Sequence, residues 1–549
     1  MSVFKYQEMY PTGEDKTEYR LLTDKFVQTR TFEGEEVLEI SEQGIVMFSQ
    51  EAFREAAHFH RKSHVEMLSK IIEDPESSDN DRLVVSEIMD NLIIAADGVL
   101  PVCQDTGAAI VFGKKGTKVW TDFSDEAAIS RGIFNAYTKD NFRYSIHSPL
   151  TMYDEKNTGC NLPAQIDLLI DKGSEYKFLF MTKSAGTSNK TFLFQETKTI
   201  LEPEKLVAFM THGIKTLGTA ACPPYKVVFV VGGTSPEANL KTVKLATAGY
   251  LDNIPEKGNE YGHAFRCKEL ESQMLKISQD MGIGAQFGGK YYCHDILVIR
   301  MSRHGGSCPI GLGISSGIDS HIKGKITKDG LFLEKLEKDP GRYMPEPRLV
   351  HDSGKPFDLN RPMEEIEAEL GNYSVGTQLK LSGKLVVARD MAHAKLKELM
   401  DNDEEIPQYL KEHVLYYSSP AKTPEGYPSG SFGSSSSWRM DPYVPALQKN
   451  GASMVMIGKG NRSDVFKESC KIYGGFYLCS IGNTAAKIGK DYVISVETID
   501  YPELGRDAIF MITVKDFPVF LVVDDKGNDF FGAAALKLPF SSTVMPKIL

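Results

Sequence analysis

A chain of 549 residues exceeds what one hydrophobic core usually organises, so two or more domains are expected. Its 41% hydrophobic and 25% charged residues are ordinary for a globular protein, and a net charge of -11 disfavours nucleic acid or an anionic membrane surface as main partner. Small acidic ligands remain admissible, because a carboxylate is captured by a few local Arg, Lys and N–H groups whatever the overall charge.

No run approaches the roughly 18–20 apolar residues of a bilayer span, and the opening MSVFKYQEMYPTGEDKTEYR has neither an apolar signal core nor an Arg/Ser-rich transit pattern. A cytoplasmic location is expected; the closing Lys-Ile-Leu matches a peroxisomal address only faintly, because it lacks the small first residue. The eight cysteines, at 103, 160, 222, 267, 293, 308, 470 and 479, are too sparse for a disulfide scaffold and contain no C-x-x-C pair. Reduced thiols are expected, and any metal site must gather ligands from distant segments.

Along the chain, FREAAHFHRKSHVEMLSKII repeats apolar residues at three and four and reads as helix, with a second helix over 83–96 after the break PESSDNDR. From 162 to about 313, β-rich runs (AQIDLLI, YKFLFMT, YKVVFVVGG) alternate with helical ones (EPEKLVAFMTHGIKTLG, PEANLKTVKLATAGY), followed by the strand-like GLFLEKL. DPGRYMPEPRLVHDSGKPFDLNRP, rich in Pro, Gly and charge without apolar periodicity, reads as a linker over 341–362. A second β/α region follows, with TQLKLSGKLVVAR, ASMVMIGKG, GFYLCSIG and FLVVDDKG as strand units and MAHAKLKELMD as a helix. The expected architecture is therefore mixed α/β in two domains, 1–340 and 363–549.

Four polar loops can carry chemistry. VLPVCQDTGAAIVFG sets Cys103, Gln104 and Asp105 together before an apolar strand; the plain alternative is a buried apolar cysteine and an Asx-type turn. TLGTAACPPYKVVFVVGGTSPEANLKT stiffens Cys222 with two prolines, and its Gly232-Gly233 and Ser235-Pro236 start a helix that suits either an anion or an ordinary cap. RMSRHGGSCPIGLGISSGIDS holds His304, an acid/base candidate or a solvated surface histidine, close to Cys308. SSPAKTPEGYPSGSFGSSSSWRMD leads into Arg439, and with Arg389 and Lys459 it offers carboxylate or phosphate capture, or simply solvated cations.

In this order, the segments GVLPVCQDTG, DNFRYS, NTGCNLPAQIDL, LGTAACPPY, GAQFGGKYY, RHGGSCPIGLG, ARDMAHAKLKE, PAKTPEGY, KGNRS, GGFYL and VDDKGNDFF resemble the class I, iron–sulfur fumarate hydratases over nearly the whole chain. The resemblance implies reversible hydration of fumarate to L-malate, and a [4Fe–4S] cluster held by three thiolates with one iron open as a Lewis acid. It implies Cys103 and Cys222 as cluster ligands, and Gln104, Arg143, Gly186, Arg439 and Lys459 as substrate contacts. Asp105 would be the general acid at the hydroxyl, Ser435 would stand at the C–H base position, and Arg389 and His304 would support the site. A homodimer is also implied, with His304 reaching the partner's site.

The departures converge on the chemistry. Where the family carries its third cluster cysteine, in GLGISSG, this chain has Ser316, and a serine oxygen is a much poorer ligand for cluster iron than a thiolate. Cys308 is named as the expected third ligand; the alternatives are weak ligation by Ser316 or no intact cluster. Ser435 replaces a threonine and Trp438 a glycine, which keeps two other readings open: a hydro-lyase for another dicarboxylate such as tartrate or mesaconate, with Trp438 narrowing its pocket, and a catalytically impaired, cluster-deficient paralogue.

Overall fold

A computed structural model describes residues 4–318, 320–346 and 354–535; part of the expected linker, the end of the second expected domain and the Lys-Ile-Leu terminus fall outside the described residues. Helices and strands are mixed throughout, an α/β fold built on three principal sheets and two small ones. The first sheet runs Tyr19–Thr23, Gly330–Glu334, His321–Thr327, Tyr176–Lys183, Ala108–Gly116, Gln165–Asp171 in spatial order. The second runs Phe192–Glu196, Cys308–Ser315, Tyr225–Gly233, Cys293–Arg303, Phe265–Arg266. The third draws all its strands from the C-terminal part, from Lys355–Asp358 through Gln378–Val387, Leu415–Tyr416, Val455–Gly458 and Phe476–Ser480 to Ile509–Val523 and Val493–Asp500.

The near-continuous apolar strand Tyr225–Gly233 is buried along almost its whole length, as a strand covered on both faces requires. The first five strands of the third sheet are parallel to one another, so their C-terminal ends open on one edge, where ligands bind in open α/β sheets. One buried cluster joins Val84, Ile88 and Phe287 to Val386, Tyr417 and Phe520, so the N- and C-terminal parts share a core that holds the facing edges together. Among the described residues, no helix is long and apolar enough to cross a membrane.

Two expectations change. The first helical stretch is two helices, Glu42–His58 and Lys62–Glu73, because Phe59 turns extended and His60 accepts the Glu337 N–H at 2.7 Å, tying the break to the segment after the first sheet. The expected linker contains the strand Lys355–Asp358, which pairs in parallel with Leu379–Ser382; its charged ends hide an edge strand whose Phe357 is buried. Gly232 and Gly233 lead into a helix at Pro236–Thr247 capped by Ser235, which accepts the Ala238 N–H at 3.1 Å, and this loop is not part of the site below.

Candidate active site

Strand register brings the loops together. Ala108 pairs with Lys183, which sets the Cys103–Asp105 loop against Ser184–Gly186, and Lys226 pairs with Ser315, which sets Ser316 beside the Cys222 loop. From the opposite side, Arg389, Lys459 and Asn483 follow the C-terminal ends of three strands of the third sheet. The resulting cleft is lined by Cys103, Gln104, Asp105, Arg143, Gly186, Cys222, Ser316, Arg389, Ser435, Arg439 and Lys459, among others.

Asp105 is the electrostatic centre. Its carboxylate pairs with Arg143 at 3.0 Å, and accepts the Ser145 hydroxyl at 3.1 Å and the N–H groups of Gly107 and Ala185 at 3.2 and 2.9 Å. Burial alone would raise its pKa, but Arg143, the Ala185 N–H, Ser145 and Arg389 outweigh it and hold the carboxyl at about 2. Arg143 is fixed in turn by its backbone, which exchanges hydrogen bonds with the Thr106 hydroxyl at 3.0 and 3.1 Å. Its Nη1 is buried and has no partner among the described residues, and the same is true of Nε of Arg439, whose Nη2 pairs with Asp390 at 3.0 Å. Arg389 is paired with Asp507 at the head of the helix Asp390–Asp401.

At the other end, the Lys459 ammonium donates to Cys222 Sγ at 3.1 Å. Burial would lower its pKa, but Cys222, Cys103 and Asp105 outweigh that, and the ammonium is kept charged. Cys103 donates to Gln104 Oε1 at 3.5 Å, and burial together with Asp105 pushes its thiol up to about 11. Cys222 occupies the left-handed region, with φ of 65°, a strained conformation of the kind that clusters at functional sites. Its carbonyl is held by the Gly317 N–H at 2.9 Å and the Asn483 amide at 3.1 Å. Gly482 is needed here, since a Cβ at that position would lie 2.2 Å from Cys222 Sγ. Gln104 reaches across the cleft, its amide donating to the Ser434 carbonyl at 3.4 Å, and Ser435 is anchored by its N–H to the Tyr417 carbonyl at 2.8 Å.

Two expected residues, Cys308 and Trp438, are placed elsewhere. Cys308 is fully buried among Ile310, Leu312 and Val231 in the second sheet's core, at the far end of the strand Cys308–Ser315. Eight residues of strand put it roughly 23 Å from the cleft, so it does not supply a third ligand. His304 sits on the exposed turn between Cys293–Arg303 and Cys308–Ser315, outside the cleft of its own chain. Trp438 is 48% exposed and does not line the cleft, so it does not narrow it. Sequence reasoning missed Ser145, Lys183, His321, Asn483 and Asp507; only Asn483, in a Gly-Asn turn after a strand, carried a local signal.

The N-terminal part, residues 47–325, matches the family model described as Fumarate hydratase (Fumerase), and residues 330–534 match that of the Fumarase C-terminus. The chain is 53% identical over 530 residues to "Fumarate hydratase class I, aerobic" of Escherichia coli, covering 96% of this chain and 97% of that protein. The chain belongs to the fumarate hydratase family. It is also 52% identical over 530 residues to the anaerobic class I enzyme of Escherichia coli, covering 96% of this chain and 97% of that relative. "Fumarate hydratase 2" of Leishmania major is 49% identical over 511 residues, with 93% of this chain and 90% of that relative covered. Membership makes the chain a hydro-lyase of the class I fumarate hydratase type.

The donor set at the Cys222 end falls short of the cluster that the resemblance implies. Two thiols, Cys103 and Cys222, and the Ser316 hydroxyl line it, and among the described residues no other cysteine does. The residues present are one sulfur short of a cluster on three thiolates and do not fit it.

Proposed function

We propose that this chain interconverts fumarate and L-malate, and that the cleft between its two parts is where water is added and removed. The observation that carries the reading is the cationic ring around Asp105. Arg143, Arg389, Arg439 and Lys459 come from both parts of the fold, and two of their buried N–H groups, Arg143 Nη1 and Arg439 Nε, have no partner among the described residues. Buried donors left unpaired cost free energy, and a dicarboxylate satisfies them with charge-assisted hydrogen bonds. The names of the relatives, fumarate hydratases at 49% to 53% identity, support the same substrate.

The chemistry follows from what each side chain is placed to do. Removing a proton beside a carboxylate builds negative charge onto that carboxylate, and guanidinium and ammonium groups already in place stabilise it without reorganising. Asp105, ionised in this cage, takes a proton from water as it adds to fumarate, and returns it to the leaving hydroxyl in the dehydration of malate. Ser435, buried on a fixed backbone, stands on the C–H side, and Gln104 and Gly186 complete the contacts to substrate. The reading includes a homodimer, supported by the exposure of His304 on its turn, and a cytoplasmic location, supported by eight free cysteines. Proton NMR of fumarate in deuterium oxide, with protein treated anaerobically with iron and sulfide, tests it. Malate carrying one deuterium beside its unsubstituted carboxylate is expected, and unchanged fumarate would overturn the proposal.

A further inference from the structure

We infer that Ser316 is the reason this cleft does not fit a cluster on three thiolates: strand pairing delivers its side chain beside Cys222, but the atom it carries is oxygen. The mismatch is independent of the dicarboxylate reading.

The shape is over-determined. The pairing of Lys226 with Ser315 delivers residue 316 to the Cys222 loop, and the next residue locks it there. Gly317 donates its N–H to the Cys222 carbonyl at 2.9 Å, while its own carbonyl lies 3.1 Å from Nε2 of His64. Asn483 holds the same Cys222 carbonyl from the C-terminal part, and a Cβ at Gly317 would lie 2.9 Å from the Asn483 amide nitrogen, so there is little room for another arrangement. A side chain at 316 is thus aimed beside Cys222 whatever its donor atom.

The donor itself is weakly held and poorly suited. Among the described residues, Ser316 Oγ has only long hydrogen bonds, with the backbone of Ile318 at 3.4 and 3.5 Å. A serine oxygen is a harder and poorer ligand for cluster iron than a thiolate sulfur. Ser315, Ser316 and His321 also line a second polar cavity, with Arg61, His64, Lys226 and His294 on its walls, so water meets this corner from both sides and competes with the hydroxyl. Cys308 cannot compensate, because it is buried at the other end of the strand and paired in register with Glu196.

The test uses the full chain, Ser316→Cys, Ser316→Ala and Cys308→Ala. Each is reconstituted anaerobically with iron and sulfide, desalted, and assayed for iron, sulfide and visible absorbance, and for iron release to a chelator. Ser316→Cys is expected to keep its iron and release it roughly tenfold or more slowly than the unaltered chain, by analogy with the 10–100-fold losses of altered metal shells. Ser316→Ala should hold no more iron than the unaltered chain, and Cys308→Ala no less. Equal retention by the unaltered chain and Ser316→Cys, or loss of iron in Cys308→Ala, overturns the inference. Calorimetric titration with fumarate separates the two readings: binding of fumarate with no iron in any variant leaves the dicarboxylate site standing and removes this inference, and binding of neither removes both.

Discussion

Replacing Arg143 by Met should destabilise the protein strongly, and most of that loss should disappear when Asp105 is already Asn. The pair is 3.0 Å apart, with side chains 7% and 11% exposed, and Met fills the stem of Arg143 without its charge. Removing one partner of a buried pair costs about 3–5 kcal/mol, because the other charge is left uncompensated. Ser145, Gly107 and Ala185 still donate to Asp105, which places the expectation at the low end, about 3 kcal/mol. Asn at 105 keeps the shape and removes the charge, so Arg143→Met on that background should cost about 1 kcal/mol, a coupling of about 2 kcal/mol. Equilibrium denaturant unfolding of the four proteins, followed by far-ultraviolet circular dichroism, reads both numbers. Equal costs on the two backgrounds would refute the reasoning, since Asp105 would then not be the buried charge that Arg143 compensates.

Arg439→Ala removes the guanidinium whose buried Nε has no partner among the described residues; the lost charge-assisted hydrogen bonds, about 1.5–3 kcal/mol, should raise KM for fumarate roughly ten- to a hundredfold in initial-rate assays. Gly482→Ala forces a Cβ to within 2.2 Å of Cys222 Sγ, and the displacement should cost about 1–3 kcal/mol, read as a lower thermal midpoint in calorimetry. His58 and His393 are buried and neutral, each lowered to about 4 by burial. The unfolded chain takes up protons near pH 6.5 and the folded chain does not, so their contribution is complete above that pH and falls by about 1.4 kcal/mol per unit and per histidine down to pH 4. His58→Gln should flatten this decline in unfolding measured across pH 4–7; a slope unchanged by the substitution would contradict it.

The alternating apolar runs located most of the central strands, because residues such as those of Tyr225–Gly233 are buried on both faces and carry an unmistakable composition. The long strand Ile509–Val523 was legible only at its end: Lys515 and Asp516 interrupt it, Asp516 with φ of 52°, where the register of its pairing with Gln378–Val387 shifts. The hairpin of Val27–Phe32 and Glu35–Ile40 escaped because it is largely exposed and its residues are mostly polar. In the site, Cys103 to Asp105, Arg143, Cys222, Arg389, Arg439 and Lys459 could be named because each lies in a polar segment that matches the family motifs. Cys308 misled because eight residues are near in sequence, yet along an extended strand they span roughly 23 Å. His321 reaches the cleft through strand pairing, and Ser145 reaches Asp105 through the loop around Asn161, which accepts from the Ser145 N–H at 2.6 Å.

The most direct test is ultraviolet detection of fumarate formed from L-malate, comparing the anaerobically reconstituted chain with Asp105→Asn. Fumarate should accumulate with the unaltered chain, and the rate should fall roughly 10²–10⁴-fold in the variant, the usual contribution of a positioned acid–base group. No fumarate from a chain shown to carry iron, or an equal rate in Asp105→Asn, would contradict a dicarboxylate hydro-lyase centred on Asp105.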